Sequence, residues 1–389
     1  MSSPNYELEV DVAPGKAESH RKAPPPRFRE ATFEDYPHIA ALEARHGLRP
    51  KTYEEWKHLW VQNPSYYDFR HWPIGWVCED EEREIVGSVG NIPLAYEFGN
   101  RRLVTATSRS LVLETPYRPY AFTLLNYFFR QNHVDLFLNT SVGDRVFRLQ
   151  QLFHALRVPA GTWDRAAFWI TNYPGFAASL LARKEISAGR VLNYPLSAGL
   201  YMRDKLTGRN SEIERGEPET EFCSQFDERF DVFWQQMRKR HSRCLLADRS
   251  RDVLDWHFKH ALKSEQAWVV AVGDGSGLLA YGIFSREDNP ALQLKRLRLV
   301  DFQTRSEGAE LLRPILSRAL ERCRREGIHM LEAFGFASRK QHIIDTMNPH
   351  YRKLSSWRYF YKAKEPQLGA SLAAPEVWDP SCFDGDSSL

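Results

Sequence analysis

The sequence has few cysteines, no long hydrophobic run and almost no net charge, and each of these features excludes a class of protein. The five cysteines among 389 residues are far apart and odd in number, so they form neither a disulfide framework nor a CxxC half-site for zinc. No apolar stretch reaches the 18 or so residues of a membrane-spanning helix. Lys and Arg total 53 and Asp and Glu 50, a net charge of +3, which does not indicate a dedicated DNA-binding protein.

The two ends of the chain have little of what makes a folded core. The first 26 residues are polar and finish in three consecutive prolines, Pro24–Pro26, and they lack the basic and then apolar order of a secretory signal. We therefore predict a disordered leader over residues 1–26 and a cytoplasmic protein. Residues 365–389 are rich in Pro, Ser, Gly and Asp, which predicts a disordered tail.

Aromatic residues, by contrast, are abundant. They make up 13% of the chain, with eleven Trp, sixteen Tyr and twenty-three Phe. Rings of this number fill aromatic cores and domain seams, or else line a pocket for a chain-like or sugar-like ligand, because they supply much contact area at low entropy cost. Composition alone leaves both interpretations open.

The periodicity of apolar residues repeats between the two halves. Each half reads helix, helix, meander, long strand, helix, strand, helix and strand, which indicates two copies of one α/β unit. We predict two tandem units, each a mixed twisted sheet flanked by helices. The predicted boundaries are 27–207 for the first domain, 208–221 for a linker and 222–364 for the second domain.

Several motifs resemble a known family. The segment Leu111–Thr123 (LVLETPYRPYAFT) lies where the GNAT superfamily of N-acetyltransferases has V-x-P-x-x-R-G-x-G-x-G/A, although only Tyr117 separates Pro116 from its arginine. The stretch Leu152–Val158, followed by Gly161-Thr162-Trp163, is similar to the closing motifs of the family. In the second half, the run from Arg249 to Phe258 looks like an element of tandem GNAT-like proteins.

The resemblance implies acyl-CoA as the donor substrate, held where the long strand of the first half turns into a helix. A helix N-terminus presents unpaired N–H groups and the positive end of a dipole, which suits a pyrophosphate. The family's glycine positions hold Pro119, Ala121 and Thr123 here, so the anion cradle has fewer donors, and an ordinary strand–turn–helix corner is the alternative. The implied cofactor-binding residues are Leu111, Val112, Leu113, Arg118, Pro119, Tyr120, Ala121, Phe122 and Thr123.

Acyl transfer to an amine needs a base, donors for the oxyanion and an acid for the leaving thiolate. At one position the family often has a tyrosine that acts as the acid. This sequence has Phe153 there, which cannot donate a proton. The candidate catalytic residues are polar groups at strand ends, each of which has a plain structural role as its alternative: Ser110, Glu114, Asn139 and Asp301.

Other chemistry has little support in the sequence. His257-x-x-His260 has one-turn spacing, but no Cys or second acidic pair supports a metal, so we expect no metal. The basic clusters at Arg238–Arg240 and Arg322–Arg325 are typical of solvated helix faces.

The function predicted on this basis is N-acyl transfer from an acyl-CoA thioester to an amine, with an amino sugar or a precursor of the envelope or of a polysaccharide among the acceptors. Two alternatives stay open. One is a catalytically degenerate GNAT-like binding module. The other is a Fem-like aminoacyl transferase, the only case in which tRNA would be a partner. The sequence does not determine the acyl chain or the oligomeric state.

Overall fold

The structure is a computed structural model, and it describes residues 24–186, 189–209, 219–275, 277–306, 308–354 and 358–389. Over these residues the chain forms two mixed β-sheets flanked by helices, which confirms the predicted α/β class. None of the described helices is both long enough and apolar enough to cross a membrane. Residues 1–23 of the predicted leader and residues 210–218 of the predicted linker lie outside the described residues.

The strands and helices have the following bounds. The first sheet has the spatial order β1 (Arg27–Glu30), β2 (Gly75–Glu79), β3 (Ile85–Phe98), β4 (Arg101–Leu113), β5 (Leu136–Asn139), β15 (Phe360–Ala363) and β6 (Leu156–Arg157), with β9 (Leu246–Ala247) beside β3. The second sheet has the order β8 (Thr220–Cys223), β10 (Ala267–Asp274), β11 (Gly277–Arg286), β12 (Arg296–Thr304), β13 (Met330–Ala333), β7 (Arg165–Ile170) and β14 (His350–Lys353). The helices are α1 (Tyr36–Arg45), α2 (Tyr53–Val61), α3 (Ala121–Phe129), α4 (Asp144–Leu152), α5 (Tyr173–Arg183), α6 (Gly189–Leu206), α7 (Glu228–Arg240), α8 (Arg251–Lys263), α9 (Leu312–Arg325), α10 (Ser338–Thr346) and α11 (Pro366–Ser371).

Both sheets are built on the same plan. An antiparallel meander, β2–β3–β4 in the first sheet and β10–β11–β12 in the second, is followed by a strand that pairs in parallel with the last strand of the meander. The parallel pairs are β4 with β5 and β12 with β13. A parallel pair needs a crossover connection, and α3 and α9 supply it.

The two units exchange one strand each. Strand β7 belongs to the first half of the chain, yet it lies between β13 and β14 of the second sheet. Strand β15 comes from the second half and lies between β5 and β6 of the first. The structure therefore differs from the predicted division into 27–207 and 222–364, because apolar periodicity identifies a strand without identifying its partners.

The carboxyl-terminal segment is packed, in contrast to the predicted disordered tail over 365–389. After α11 the chain buries Trp378, Cys382 and Phe383 in the aromatic cluster that joins the two sheets. The Trp378 indole donates to the main-chain oxygen of Leu372 at 2.8 Å. Pro, Ser, Gly and Asp lie between these buried side chains. The composition of the segment is typical of disorder, but its three buried side chains pack it against the rest of the protein.

Most of the aromatic richness is explained by packing. Trp60, Trp163, Tyr96, Tyr281 and Tyr359 are among the large side chains that are completely buried. Two cavities lined by described residues, one beside β3 and β4 and one at the seam, each have a volume of about 20 Å³, room for about one water molecule. The described residues thus use their rings as cores and seams, the first of the two interpretations of composition.

Candidate functional site

The last part of β4 is bulged. Val112 lies opposite Ser88 of β3, whereas Arg109 lies opposite Gly90, so β4 carries one additional residue between them. Ser110, at this position, has a φ of 51°, in the left-handed region that few residues other than glycine adopt. A bulge kinks its strand and changes the direction of the side chains around it. The predicted site residue Ser110 therefore lies at the kink of β4.

Beyond the same point β4 separates from β5. The parallel ladder joins Thr105–Thr107 to Leu136–Leu138, and the Asn139 side chain then links the strands. Its Oδ1 accepts hydrogen bonds from the Ser108 main-chain nitrogen at 3.0 Å and from the Ser108 hydroxyl at 2.7 Å. From Arg109 onward, β4 pairs with β3 alone in the described part of the chain.

The separation leaves a split between two parallel strands, and the predicted donor-binding residues Leu111, Val112 and Leu113 lie along it. One edge of β4 there presents main-chain N–H and C=O groups without a ladder partner. An extended ligand that carries amide groups can pair with such an edge in the way an added strand does. Asn139, which the sequence predicts as catalytic, closes the narrow end of the split and is held there by Gln150 at 3.1 Å.

At the wide end of the split, β4 continues through a short 3₁₀ turn, Thr115–Tyr120, into α3. Arg118 and Pro119 are exposed on this turn, and Ala121 and Thr123 are half-buried on the first turn of α3. No described residue forms a hydrogen bond or ion pair with the Arg118 side chain. A free guanidinium beside a helix N-terminus is a favourable position for a phosphate group.

Two further predicted donor-binding residues, Tyr120 and Phe122, have apolar partners. Tyr120 packs against Phe28 with ring centres 6.1 Å apart. Phe122 is partly exposed and stacks on Phe153, with ring centres 4.6 Å apart. Phe153 in turn stacks on Phe129 at 4.9 Å and is buried. The position expected for a proton donor is therefore part of an aromatic stack.

Glu114 forms ion pairs with α1. Its carboxylate accepts from Arg45 at 2.8 Å and lies 3.2 Å from the Nε2 of His46. Burial alone would raise the pKa of Glu114, but the hydrogen bond from Arg45 and the charges of Arg45 and His46 hold that pKa below its usual value. A carboxylate stabilised in this way is a weaker base than the sequence-based prediction requires.

Asp301 is completely buried in the second sheet. Its carboxylate receives two hydrogen bonds from Arg249, at 2.7 and 3.1 Å, and one from the Ser381 hydroxyl at 2.8 Å. Burial would raise the pKa of Asp301, but the Arg249 guanidinium keeps the pKa below its usual value. This arrangement differs from the prediction that Asp301 receives an acceptor amine, because its oxygens are occupied by partners from the seam.

The packed carboxyl-terminal segment reaches the first site. The hydroxyls of Thr140 and Ser141, directly after β5, donate to the carboxylate of Asp386 at 2.7 and 3.0 Å. The Arg109 guanidinium donates to the main-chain oxygen of Leu389 at 2.9 Å. The segment therefore crosses the end of β5 and ends beside the bulge, so it forms one wall of the region around Ser110.

Glu43 is a residue of this region that sequence reasoning missed. It lies on α1, is only 5% exposed, and lines the cavity of about 20 Å³ together with Gly90, Arg109 and Ser110. Its side chain has no hydrogen-bond or ion-pair partner among the described residues. The signal was present in the sequence, because residues 39, 42, 43 and 46 share one helix face and Glu43 is a carboxylate on a face that is otherwise buried by Ile39 and Leu42.

Two basic side chains lie at or near this cavity. Arg109 lines it, and Lys51 is close enough to Arg109 for that charge to act on its amine. Burial lowers the pKa of the Lys51 amine and Arg109 lowers it further, whereas the charges of Glu55, Glu287 and Glu43 oppose this shift. The two cations favour a ligand with negative charge or with a carbonyl oxygen that becomes negative.

The described residues contain no group of three or more His, Cys, Asp or Glu side chains that could hold a metal ion. His257 is stacked between Phe258 and Phe383, and its Nε2 donates to the main-chain oxygen of Ser388 at 3.1 Å. Burial lowers the pKa of His257 to about 3. His260 instead contacts His58, with ring centres 4.9 Å apart.

The strand order and the parallel pairs are those of a GNAT-like α/β fold, and solved structures of low sequence identity share this fold. N-myristoyltransferase of Saccharomyces cerevisiae with bound myristoyl-CoA is 11% identical over 93% of this chain and 84% of its own, with a TM-score of 0.56. A probable N-acyltransferase of Enterococcus faecalis is 10% identical over 87% and 72%, with a TM-score of 0.53. A GCN5-related N-acetyltransferase of Anabaena variabilis is 10% identical over the same shares, with a TM-score of 0.50. No protein-family model and no curated protein matches the sequence.

Proposed function

We propose that the protein is an N-acyltransferase that moves an acyl group from an acyl-CoA thioester to an amine, with the donor held by the first sheet. The observation that carries this proposal is the split between β4 and β5, which has a bulge at Ser110 and a helix N-terminus with a free arginine at its wide end. These features offer an amide-pairing edge and an anion site in the order in which coenzyme A presents its own amides and phosphates.

The donor is held by main-chain groups and by one charged side chain. The amides of the pantetheine arm pair with the free edge of Leu111–Leu113. The pyrophosphate lies at the N-terminus of α3, where Arg118 supplies the charge and the Thr123 hydroxyl a further donor. Pro119 offers no N–H group, so the arginine carries more of the binding than it does in a glycine-rich loop.

The chemistry requires that the acceptor lose a proton before it attacks. Glu43 is the carboxylate best suited to take that proton, because it is buried, forms no hydrogen bond or ion pair with a described side chain, and lines the same cavity as Ser110 and Arg109. The amine then attacks the thioester carbonyl, the C–N bond forms as the C–S bond breaks, and the thiolate leaves. A thiol has an ordinary pKa of about 8.5, so the thiolate departs without a side-chain acid, and Phe153 does not prevent the reaction.

The acceptor is an amine, and amino sugars and polysaccharide precursors are the first class to screen. The packing of the aromatic residues into cores gives no independent support to a sugar acceptor. The screen is therefore best made with a set of amines that also includes peptides with a free amino terminus, each at several concentrations and with the same labelled thioester.

Calorimetric titration of the purified chain with acetyl-CoA, a long-chain acyl-CoA and free coenzyme A tests the donor site. We expect one bound molecule per chain, and we expect Arg118→Ala to weaken binding by about 1.5–3 kcal/mol, the value of a hydrogen bond to a charged group. Ala121→Glu places a negative charge at the helix N-terminus and is expected to weaken binding further. Arg325→Ala, an exposed arginine at the end of α9, is the matched control and leaves the affinity unchanged.

Failure of all three molecules to bind at millimolar concentration would refute the coenzyme A proposal. Salt-sensitive binding of charged tRNA would then favour the Fem-like alternative. Binding of the thioester without transfer to any amine in the set would favour a degenerate binding module, for which the apolar environment of Phe153 is the supporting observation.

A further inference from the structure

Helix α6 lies outside both sheets and presents an unusual surface. It follows β7 and α5, and α5 is its main packing partner in the described chain. The three most exposed large hydrophobic side chains of the described residues all belong to α6: Val191 at 78%, Tyr194 at 83% and Leu206 at 82%. Solvent-exposed apolar side chains that cluster in this way mark an interaction site more often than chance.

These side chains form a stripe along one face of the helix. Residues 191, 195, 198, 202 and 206 recur at intervals of three and four, which places them on a single face. They are Val, Pro, Ala, Met and Leu, and all are exposed. Tyr194, Tyr201 and Leu192 extend the same face on both sides and are exposed as well.

The orientation of α6 is fixed by its polar face. Ser197 and Asp204 are buried against the rest of the protein, and they lie seven residues apart, on the side opposite the stripe. Asp204 accepts from the Tyr173 hydroxyl at 3.1 Å and lies 2.8 Å from the Nε2 of His350. The helix thus buries Ser197 and Asp204 and turns its apolar stripe outward, whereas the apolar stripe of an ordinary surface helix faces the core.

The charge around the stripe is positive. Six basic and two acidic residues occur between positions 183 and 209, and one of the two acids is the inward-facing Asp204. Lys184, Arg203, Lys205 and Arg209 belong to this segment, and Lys184 and Lys205 are exposed. The last turn of α9 adds the exposed Arg324 and Arg325, and Arg324 is near enough to influence the pKa of Tyr173 on α5.

We propose that α6 binds the surface of an anionic lipid bilayer and lies in the plane of the interface. A helix with one apolar stripe, tyrosines beside it and basic residues at its borders is the arrangement that interfacial helices use. Cations of the border attract anionic headgroups, and the stripe enters the boundary between headgroups and acyl chains. A convex helix with a basic border suits this flat, negatively charged partner better than it suits an acidic peptide, which needs a groove.

Vesicle flotation of the full chain tests this proposal without reference to the enzymatic reaction. We expect the protein to float with vesicles of phosphatidylcholine and phosphatidylglycerol and to float much less with phosphatidylcholine alone. The partition coefficient should fall when salt screens the headgroup charge. We expect Val191→Glu with Leu206→Glu to lower the partition coefficient at least about tenfold, since both side chains would otherwise be buried in the interface, and Lys205→Glu to lower it several-fold.

The control variant is Val232→Glu. Val232 is an apolar residue of α7 that is 55% exposed, and the variant should float like the wild type. All these side chains are exposed, so thermal unfolding should be nearly unchanged. Wild-type protein that does not float with anionic vesicles would overturn the proposal. So would a dimer in sedimentation velocity that Val191→Glu with Leu206→Glu converts to a monomer, because a second copy of the chain would then cover the stripe.

Discussion

The two sheets share a strand order and a split between their parallel strands, but the second split has buried ion pairs beside it, whereas Ser110 and a small cavity lie beside the first. In the second sheet Asp301 lies opposite Ile283, whereas Leu299 lies opposite Phe284, so Val300 is the additional residue of a bulge in β12. Beyond Leu299, β12 also separates from its parallel neighbour β13. The backbone of a donor site is therefore present twice.

The side chains around the two splits differ. The ammonium of Lys340 donates to the main-chain oxygen of Phe302 at 2.7 Å and to Asp379 at 2.8 Å, and it is almost completely buried. Arg249 holds Asp301 beside it. In the first sheet the equivalent part of β4 has Ser110 and Arg109 next to a cavity. This difference is the reason why we propose the first unit as the one that binds the donor.

The largest change in stability is expected at the split of the second sheet. Arg249→Ala leaves the carboxylate of Asp301 buried without its cation, and we expect a loss of about 3–5 kcal/mol in the free energy of unfolding, measured by urea denaturation. Asp68→Ala, which removes the exposed ion pair with Arg102, is the control and should cost at most about 1 kcal/mol. Equal losses in the two variants would contradict the assignment of the second split as a structural element.

Glu43→Gln tests the proposed site beside the split of the first sheet. We expect the rate of acyl transfer to fall about 10²–10⁴-fold, as for removal of a general base, with an unchanged affinity for the thioester. Glu54→Gln changes an exposed carboxylate of α2 and should leave the rate as it is. A lower affinity with an unchanged rate would assign Glu43 to donor binding instead.

The segment that connects the two copies should respond to pH through Asp384. This carboxylate is buried, accepts from the Tyr96 hydroxyl at 2.8 Å, and has its pKa raised by desolvation to about 6. The folded protein therefore binds this proton more tightly than the unfolded chain, whose ordinary pKa is 3.8. The stabilisation is complete below about pH 3.8 and is lost as the pH rises through 6.

Asp384→Asn removes this titration while it keeps the shape of the side chain. The stability of the variant relative to the wild type should rise by up to about 3 kcal/mol between pH 4 and pH 7, since one pKa unit corresponds to about 1.36 kcal/mol. Paired urea denaturations at each pH cancel the contributions of the other groups. A difference that stays constant over this range would show that Asp384 ionises as an exposed carboxylate does.

The smallest effect is expected for Phe153→Tyr. If the missing hydroxyl limited the reaction, restoring it would raise the transfer rate by about 10² or more. Because the thiolate leaves unaided in our account, we expect no such increase in single-turnover measurements. A large increase would show that the first unit has lost an acid that its chemistry still needs.

The fold could be predicted from the sequence because each helix and strand has its own apolar period, and the order of these elements is sufficient to suggest two α/β units. The exchange of β7 and β15 could not be predicted in this way. Periodicity is a local property, and the choice between two edges of similar apolar character is made only when both sheets exist.

The site residues stay predictions. Ser110, Leu111–Leu113 and Arg118 lie around the split of the first sheet, and a strand that leads into a helix is visible in the sequence. Asp301 looked similar at the end of an apolar strand, but its partner Arg249 lies 52 positions earlier, and nothing local indicates the pair. Glu43 belongs to none of the sequence motifs, because it is a single carboxylate on a buried helix face.

Hydrogen exchange of the full chain, with and without a saturating acyl-CoA, shows which of the two splits binds the donor, because one experiment reports on both. We expect the ligand to protect the amides of Arg109–Leu113 and of the first turn of α3, with no change along Val300–Thr304. Protection along Val300–Thr304, or no protection in either stretch at millimolar ligand, would contradict the assignment of the donor site to the first sheet.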